Sequence, residues 1–382
     1  MKSRTLFLLL PVFLTACGGT KLHYSQEGVA PNPEPKVNSE RFLTTLYDHR
    51  LGGSFDAQTG ILRPAPTADA VIVAGPDGKV SAIDATSGNE QWEIDLDLPL
   101  SAGVGIGDGL AVVANRSGQV IALRLDDGSE TWRGMVNGEV LAPPAISPGV
   151  VIVRAGDSKI VGLDSATGSP LWTLQKNIEG LSVRGVSAPL INGRGAVVGL
   201  ADGRILALDV DSGRGLWETP IGTQRGDNEV RRLADIDADP VLFGTILYVA
   251  SYQSRVVAMA LGTPRVIWSA DISTLKTPGV DSDRLYISTE TGTIVALNRF
   301  TGEKIWEQSE LIGRGLTSPV RLGERLLVGD FKGVIYSLDP ETGEIVASES
   351  IGGGALVGTP VKVGDTVLFT SESGRIHALA LR

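Results

Sequence analysis

The feature that most constrains the fold of this chain is a repeat that ends in tryptophan. In its first copy, Gly78 precedes a run of alternating side chains, a Thr-Ser-Gly turn follows, and Trp92 stands fourteen residues after Gly78. All six tryptophans of the chain occupy this position: Trp92, Trp132, Trp172, Trp217, Trp268 and Trp306. Two further copies lack the tryptophan; one reaches Ala347 and the other runs into the C-terminus. The chain therefore contains eight repeats.

The spacing of the repeats predicts the four-stranded blades of a β-propeller. Trp92, Trp132 and Trp172 follow one another at intervals of 40 residues, a period typical of such blades. Each tryptophan ring is expected to cover the neighbouring sheet, which is a structural role. Between the expected third and fourth strands, a segment that usually reads Asp-x-x-(Thr/Ser)-Gly predicts a hairpin turn whose glycine has a positive φ. These glycines are Gly88, Gly128, Gly168, Gly213, Gly302 and Gly343.

The last repeat ends after its third strand, so its fourth strand must come from elsewhere in the chain. The segment from Phe42 to Leu51 is available, and it would place Tyr47 where other blades have tryptophan. Pairing the first and last segments in one sheet would also remove two exposed sheet edges. We therefore predict an all-β fold over residues 41–382. It is an eight-bladed β-propeller of four-stranded antiparallel blades, closed by the N-terminal strand in the last blade.

Residues 1–16 are predicted to be a lipoprotein signal peptide. Lys2 and Arg4 precede an apolar run over residues 6–14, which is about half of the ~20 residues that a bilayer-spanning helix needs. The run leads into Leu-Thr-Ala-Cys, which resembles the bacterial lipobox that is cleaved before its cysteine. Cys17 is the only cysteine of the chain, so an internal disulfide is excluded. The alternative is a stray cysteine in an ordinary signal peptide.

The lipobox resemblance implies that Cys17 is lipidated and that acyl chains anchor a soluble domain to a membrane. Gly18 follows it, where an Asp would often signal retention in the inner membrane. The implied location is the periplasmic side of the outer membrane. The polar residues 17–40 contain Pro31, Pro33 and Pro35, which favour an extended, flexible tether without a core of its own.

Composition and motifs argue against catalysis and against nucleic acid. The formal net charge of −10 gives a nucleic acid no electrostatic support, although an acidic balance is also an ordinary aid to solubility. The three histidines are scattered, and no catalytic motif is present. The glycines of residues 103–109 recur at every second position, which fits a glycine-rich turn better than a dinucleotide fingerprint. No catalytic, cofactor-binding or metal-binding residue is predicted, and the propeller is expected to be monomeric.

Two interruptions of the repeat predict a functional face. Trp172 and Trp217 are 45 residues apart, and Trp217 and Trp268 are 51 apart, whereas the next interval is 38. Both insertions, over residues 173–185 and 222–239, fall between the tryptophan strand of one blade and the first strand of the next. Connections of this type emerge on one face of a propeller, so two enlarged neighbours would form one composite patch.

The composition of the insertions fits a protein interface with a small apolar centre and a charged rim. The first insertion contains Leu181, Val183 and Arg184, and the second contains Asp235 and Asp237. The alternative is a solvated loop in which the arginines and aspartates pair with each other. The residue chemistry alone leaves both interpretations open. Paired acids without a basic, nucleophilic or metal partner are in any case weak evidence for catalysis.

The repeat Ala-x-Asp-x-x-(Thr/Ser)-Gly-x-x-x-Trp resembles the tryptophan-docking motif of the quinoprotein-like propellers. With its lipobox, eight repeats and length, the chain resembles the propeller lipoproteins of the outer-membrane β-barrel assembly (BAM) machinery. The resemblance extends over essentially the whole chain. Its most specific parts are residues 181–185 with 187–189, residues 232–237 and residues 316–320.

This resemblance implies a non-catalytic scaffold that supports the assembly and insertion of outer-membrane β-barrel proteins. In that family the first two stretches bind a periplasmic POTRA domain of BamA, so Leu181, Val183, Arg184, Asp235 and Asp237 are the implied contacts. The family usually has leucine where this chain has Val183, which would reduce that contact. Direct contact with unfolded outer-membrane proteins is a further implication, through sheet edges or a concave face.

Two other functions stay open at this point. A quinoprotein enzyme would use the same fold with pyrroloquinoline quinone and Ca²⁺. Such enzymes are usually much longer, however, and many carry adjacent cysteines, which this chain lacks. An envelope assembly or adhesion module with a different partner is the third possibility.

Overall fold

The structure is a computed structural model that describes residues 29–37, 41–55, 62–156, 159–176, 187–221 and 236–382. These residues form eight four-stranded antiparallel sheets. Each sheet is one blade, and the first strands of successive blades lie next to each other around a ring, with the eighth blade next to the first. The predicted all-β, eight-bladed propeller is confirmed.

The first four blades are each built from consecutive strands. Blade 1 contains β2 (Ala65–Pro66), β3 (Ala70–Ala74), β4 (Lys79–Asp84) and β5 (Glu90–Asp95). Blade 2 contains β6 (Ala102–Gly107), β7 (Leu110–Ala114), β8 (Gln119–Arg124) and β9 (Glu130–Met135). Blade 3 contains β10 (Ala145–Ser147), β11 (Val150–Ala155), β12 (Lys159–Asp164) and β13 (Pro170–Gln175). Blade 4 contains β14 (Leu190–Asn192), β15 (Gly195–Gly199), β16 (Arg204–Asp209) and β17 (Gly215–Pro220).

The remaining blades follow in chain order, and only the last contains a strand from elsewhere. Blade 5 contains β18 (Val241–Phe243), β19 (Ile246–Ala250), β20 (Val256–Ala260) and β21 (Val266–Ala270). Blade 6 contains β22 (Gly279–Val280), β23 (Arg284–Ser288), β24 (Ile294–Asn298) and β25 (Lys304–Gln308). Blade 7 contains β26 (Val320–Leu322), β27 (Arg325–Gly329), β28 (Val334–Leu338) and β29 (Ile345–Ser350). Blade 8 contains β30 (Leu356–Val363), β31 (Thr366–Ser371), β32 (Arg375–Leu381) and β1 (Leu43–Arg50).

The N-terminal strand closes the ring as predicted. Strand β1 is the outermost strand of blade 8 and pairs antiparallel with β32, from Leu43 opposite Leu381 to Arg50 opposite Arg375. A bulge between Thr45 and Tyr47 shifts the register. The first and last segments of the propeller therefore share one sheet. Separating them would break the hydrogen bonds between β1 and β32.

The core lies between the blades because both faces of the middle strands are covered. All five residues of β3 and all six residues of β11 are buried. Side chains of neighbouring blades meet in shared clusters, as where Val112 and Val120 of blade 2 pack with Val151 and Val161 of blade 3. This explains why the second and third strands read as nearly continuous apolar runs, whereas the outer strands alternate.

Each docked tryptophan joins its blade to the next one. The ring of Trp132 lies against Gly168 of blade 3, and its Nε1 donates a hydrogen bond of 2.7 Å to the carbonyl oxygen of Ser165. The indole nitrogens of four others donate to the equivalent carbonyl oxygens at 2.8 to 3.0 Å: Trp92, Trp172, Trp268 and Trp306. The six turn glycines have φ between 66° and 76°, as predicted.

The aspartate of the repeat organises the turn on which the tryptophan rests. Oδ1 of Asp84 accepts hydrogen bonds from the backbone N–H of Thr86 at 3.1 Å and from the N–H and hydroxyl of Ser87 at 2.7 and 2.8 Å. These bonds, led by those from Ser87, lower the pKa of the Asp84 carboxyl. The ionised form is therefore the one that fits the turn.

The glycine-rich run over residues 103–109 corrects one expectation. Most of it is strand β6, and only Asp108 and Gly109 form the turn. A Cβ on Gly105 would lie 2.1 Å from the carbonyl oxygen of Pro144, so glycine allows the first strands of blades 2 and 3 to approach closely. The sequence pattern indicated the glycines but not that close packing of two blades requires them.

Part of the predicted tether lies against blade 7. The backbone N–H of Asn32 donates to the carbonyl oxygen of Ile312 at 2.9 Å, and its side-chain amide donates to that of Ser309 at 3.2 Å. Val37 packs against the core cluster shared by blades 6 and 7. Residues 29–37 form neither helix nor strand. The signal peptide, Cys17 and the rest of the tether lie outside the described residues.

A buried ion pair holds the same region. Arg314 is 1% exposed, and its Nε and Nη2 donate to Oδ2 of Asp330 at 2.8 and 2.5 Å. Its Nη1 donates to the carbonyl oxygen of Asn32 at 3.1 Å, and Glu34 lies 3.8 Å from Nη2. The hydroxyl of Tyr336 also donates to Oδ2 of Asp330. One arginine thus connects the N-terminal segment to the core of blade 7.

Candidate protein-binding face

The connections between blades emerge together on one face of the ring, which we call the blade-junction face. Each leads from the outermost strand of one blade to the first strand of the next. The hairpins between the second and third strands lie on the same face and bind these connections. For example, the backbone N–H of Leu96 donates a hydrogen bond of 3.1 Å to the carbonyl oxygen of Gly78. The N–H of Ile221 likewise donates to the carbonyl oxygen of Gly203 at 2.8 Å.

Three connections on this face are much longer than the shortest, which spans residues 351–355. Two are the predicted insertions, at residues 176–189 and 221–240, and the third spans residues 51–64. The third was not predicted, because it follows the closing strand β1, where Tyr47 replaces tryptophan and no tryptophan interval reveals it. The described residues do not include 56–61, 177–186 or 222–235.

The predicted contacts Leu181, Val183, Arg184 and Asp235 lie outside the described residues. Asp237 is described, and it is only 5% exposed. Its neighbour Ile236 is fully buried and packs with Val197 and Val249 between blades 4 and 5. The C-terminal part of the second insertion is therefore anchored in the core.

The ends of the two predicted insertions meet each other. The backbone N–H of Ala188, just beyond the first insertion, donates to Oδ1 of Asp239 at 2.6 Å. The preceding residue, Ser187, is fully buried and accepts a hydrogen bond of 2.9 Å at Oγ from Nη1 of Arg154. The structure thus joins the bases of the two insertions that the sequence predicted to form one patch.

Asp239 also reaches the opposite side of the ring. Its Oδ2 pairs with Nη1 of Arg63, which stands at the end of the third long connection in blade 1. Blades 1 and 5 lie opposite each other in a ring of eight. Neither Arg63 nor Asp239 was singled out from the sequence, because no local motif indicates a contact across a ring.

A second pair of ionisable groups lies in blade 6 beside this point. Burial lowers the pKa of the Lys276 ammonium, although the nearby Glu290 carboxylate acts in the opposite direction. Burial likewise raises the pKa of Glu290, whose Oε1 accepts a hydrogen bond of 3.1 Å from Ser273. Thr277, next to Lys276, accepts a hydrogen bond of 3.3 Å from the N–H of Asp239. The hydrogen bond between Asp239 and Thr277 therefore connects the end of the second insertion to the start of blade 6.

The third specific stretch of the sequence, residues 316–320, is part of the core. Leu316, Thr317 and Ser318 are each at most 2% exposed. The hydroxyl of Thr317 accepts a hydrogen bond of 2.9 Å from the N–H of Gly329. These residues hold the first strand of blade 7 in place.

Within the described residues, no cluster of His, Cys, Asp and Glu side chains could hold a metal ion. The same residues include no helix that is long and apolar enough to cross a membrane.

Comparison with known proteins identifies the relatives of this chain. A family described as outer membrane protein assembly factor BamB matches residues 76–308 and 267–382. The chain is 42% identical over 315 residues to the BamB of Kangiella koreensis, covering 82% of this chain and 79% of that protein. It is 44% identical over 295 residues to the BamB of Pseudomonas aeruginosa, covering 77% and 78%.

Solved structures agree with the sequence comparison. The crystal structure of BamB from Moraxella catarrhalis matches with a TM-score of 0.81 and 33% identity, over 88% of this chain and 99% of that one. The quinohemoprotein alcohol dehydrogenase of Comamonas testosteroni matches with a TM-score of 0.69 but only 12% identity. That second likeness shows a shared propeller fold and carries no evidence for quinoprotein chemistry.

Proposed function

From its membership of the BamB family of outer membrane protein assembly factors, to which this chain belongs, we propose that it binds a periplasmic POTRA domain of BamA. The protein is a non-catalytic subunit of the BAM complex and is associated with the outer membrane. In the proposed role it acts as a scaffold that supports the assembly and insertion of β-barrel proteins. The observation that carries the proposal is the joined base of the two insertions at Ala188 and Asp239.

The proposed contact residues are those of the two insertions. Leu181 and Val183 supply an apolar centre, while Arg184, Asp235 and Asp237 supply charge around it. The buried bases of the loops reduce the conformational freedom that binding must remove, which favours affinity. Because Asp237 is 5% exposed, its reversal to lysine would disturb the fold as well as the contact. Arg184 therefore provides the cleaner test.

The membrane anchor fits the same arrangement. We infer that Cys17 is lipidated and that the propeller faces the periplasm, attached through residues 17–40. Support comes from the docking of residues 29–37 on the connection 309–319, which belongs to the blade-junction face. The anchor and the proposed BamA patch would then approach the propeller on one face.

Contact with unfolded outer-membrane proteins is a second candidate, favoured by a feature of the outer strands. In blades 3 to 6 the residue before the tryptophan is a large apolar side chain that is at least 42% exposed: Leu171, Leu216, Ile267 and Ile305. These strands lie at the ends of their sheets, where an extended chain could add a further strand. The proposal predicts that binding of an unfolded barrel protein weakens when these residues are replaced by threonine.

A binding measurement tests the BamA proposal. The full-length lipoprotein in detergent is titrated with the periplasmic domains of BamA, comparing wild type with Arg184→Glu. We expect at least about a tenfold weaker affinity, because a reversed charge at an interface is unfavourable. Arg194→Glu is the matched control, since this exposed arginine lies in blade 4 on the hairpin of the opposite face. Equal affinities of wild type and Arg184→Glu would contradict the patch.

A further inference from the structure

The ion pair between Arg63 and Asp239 joins opposite sides of the ring. Arg63 precedes the first strand of blade 1, and Asp239 precedes the first strand of blade 5, so the pair spans the mouth of the central channel. The side chains are 27% and 11% exposed, respectively. Solvent screens such a half-buried pair less than an exposed one.

Both partners are fixed by backbone contacts to further blades. The N–H of Arg63 donates to the carbonyl oxygen of Gly103 at 2.8 Å, and its carbonyl oxygen accepts from Val104 at 3.2 Å, both in blade 2. Asp239 accepts from Ala188 at the start of blade 4 and donates through its N–H to Thr277 at the start of blade 6. The guanidinium therefore reaches its partner from an anchored position.

The three residues Arg63, Ala188 and Asp239 share one property. Each lies at the C-terminal end of one of the three longest connections on the blade-junction face. Oδ1 of Asp239 binds the end of the first predicted insertion, and its own backbone forms the end of the second. Oδ2 is held by the arginine at the end of the third. A single carboxylate thus fixes the relative position of all three loop ends.

We propose that Arg63 is a positioning residue for partner binding, acting through Asp239 on the ends of the two insertions at Ala188 and Asp239. This rests on the proposed function, because it assigns a role in the same BamA contact. Arg63 itself need not touch the partner. Its charge holds the Asp239 carboxylate at the channel mouth, and the carboxylate in turn holds the backbone N–H of Ala188. Loops that are held in place before binding lose less conformational entropy when the partner arrives.

Loss of Arg63 is expected to weaken binding without unfolding the propeller. The hydrogen-bonded sheets and the docked tryptophans do not depend on it, whereas the loop ends lose their connection across the channel. We expect about a tenfold weaker affinity of Arg63→Gln for the periplasmic domains of BamA, from the greater ordering of the loops on binding. Arg63→Lys keeps a charge but loses the planar fork, so part of the affinity should return.

A control exists on the same face. Arg116 lies on the hairpin between β7 and β8, and its side chain is 28% exposed beside Glu139 at 3.4 Å. Arg116→Gln therefore removes the same charge at nearly the same exposure, away from the two insertions. Asp239→Asn is the second test variant, because its side-chain oxygen can still accept the Ala188 hydrogen bond while the charge that holds Arg63 is gone.

The experiment compares full-length wild type, Arg63→Gln, Arg63→Lys, Asp239→Asn, Arg116→Gln and Arg184→Glu. It measures affinity for the periplasmic domains of BamA and amide hydrogen exchange at Ser187 and Ala188. The inference predicts weaker binding and faster exchange for Arg63→Gln and Asp239→Asn, partial recovery in Arg63→Lys, and no change in Arg116→Gln. Unchanged binding of Arg63→Gln and Asp239→Asn, with Arg184→Glu weakened, overturns this inference and leaves the proposed function standing. Unchanged binding of Arg184→Glu overturns the proposed patch and this role with it.

Discussion

Tyr47 of the closing strand lies against Gly88 of blade 1 as five of the tryptophans lie against the turn glycine of the blade after their own. A Cβ on Gly88 would be 2.3 Å from the Tyr47 ring, and the Tyr47 hydroxyl donates to the carbonyl oxygen of Ala85 at 3.3 Å. Burial, with the nearby Asp84 carboxylate, raises the pKa of the hydroxyl and keeps it protonated as a donor. The contact between blades therefore continues across the point where the ring closes.

Removal of the Tyr47 ring should weaken that closure. Tyr47 is half-buried, so we expect Tyr47→Ala to lower the free energy of unfolding by about 2 kcal/mol, below the range for a fully buried aromatic residue. Tyr47→Phe keeps the ring and should lose about 1 kcal/mol or less, the value of one hydrogen bond. Urea denaturation of wild type, Tyr47→Phe and Tyr47→Ala measures whether the free energy of unfolding falls in that order. A Tyr47→Ala protein as stable as wild type would show that the closing strand is held without the docked ring.

The turn glycines should tolerate no side chain where a tryptophan covers them. Gly168 has φ of 71°, and a Cβ there would lie 2.4 Å from Cε3 of Trp132. Gly168→Ala should lose about 1 to 2 kcal/mol for the left-handed backbone and about 1 to 3 kcal/mol more for overpacking.

Gly149 is the matched control for that substitution. It lies in the same blade with φ of 85°, and nothing described lies within 4 Å of its Cβ position. Gly149→Ala should therefore lose only the backbone contribution, about 1 to 2 kcal/mol. Thermal unfolding of both variants measures the difference. Equal losses would mean that the indole ring moves aside without cost.

The buried Arg314 should be essential to blade 7 and to the N-terminal segment. Arg314→Ala leaves the Asp330 carboxylate buried without its cation, which typically costs about 3 to 5 kcal/mol. It also removes the bond to Asn32, so trypsin should cleave faster after the exposed Lys36. Arg124→Ala removes an exposed pair with Asp126 and should change stability by less than about 1 kcal/mol. Unchanged cleavage at Lys36 in Arg314→Ala would contradict the docking.

Two histidines of blade 8 should make the protein less stable in mild acid. His377 is 3% exposed with Nδ1 2.8 Å from Oδ1 of Asp48, and burial lowers its pKa despite that carboxylate. Burial also lowers the pKa of His49 in β1. The unfolded chain therefore binds protons at a higher pH than the folded one, and stability falls as the pH drops through about 6.5.

Urea denaturation at pH 7.5 and 5.5 measures this loss. His377→Gln should show a smaller difference between the two pH values than wild type. The carboxylates with lowered pKa, such as Asp84 and Asp209, titrate below this window and do not contribute to it. An equal pH dependence in His377→Gln and wild type would contradict the assignment.

The fold could be predicted from the sequence almost completely, because one interaction recurs in most of the blades. The fixed distance from Gly78 to Trp92 encodes a hairpin and the contact with the next blade, and counting the copies of this pattern, including the two without tryptophan, counts the blades. The missing strand of the last repeat and Tyr47 then indicate the closure. The packing of Gly105 against Pro144 was not predicted, because it joins two strands that share no sequence pattern.

The site could be predicted only in part. Interruptions of the tryptophan interval indicate the insertions at residues 173–185 and 222–239, but they do not show that Ala188 and Asp239 bind each other. Arg63 belongs to a blade without an interrupted interval, and its partner lies on the other side of the ring. Such a contact depends on the curvature of the whole propeller, which a local motif does not encode.

The measurement that tests the protein-binding face most directly is site-specific photo-crosslinking in intact membranes. A photoreactive phenylalanine derivative replaces Leu181 in one variant and Arg194, on the opposite face of the same blade, in another. We expect a covalent adduct with BamA from position 181 and none from position 194. No adduct from position 181, or equal adducts from both positions, would contradict the claim that the interrupted blades form the contact.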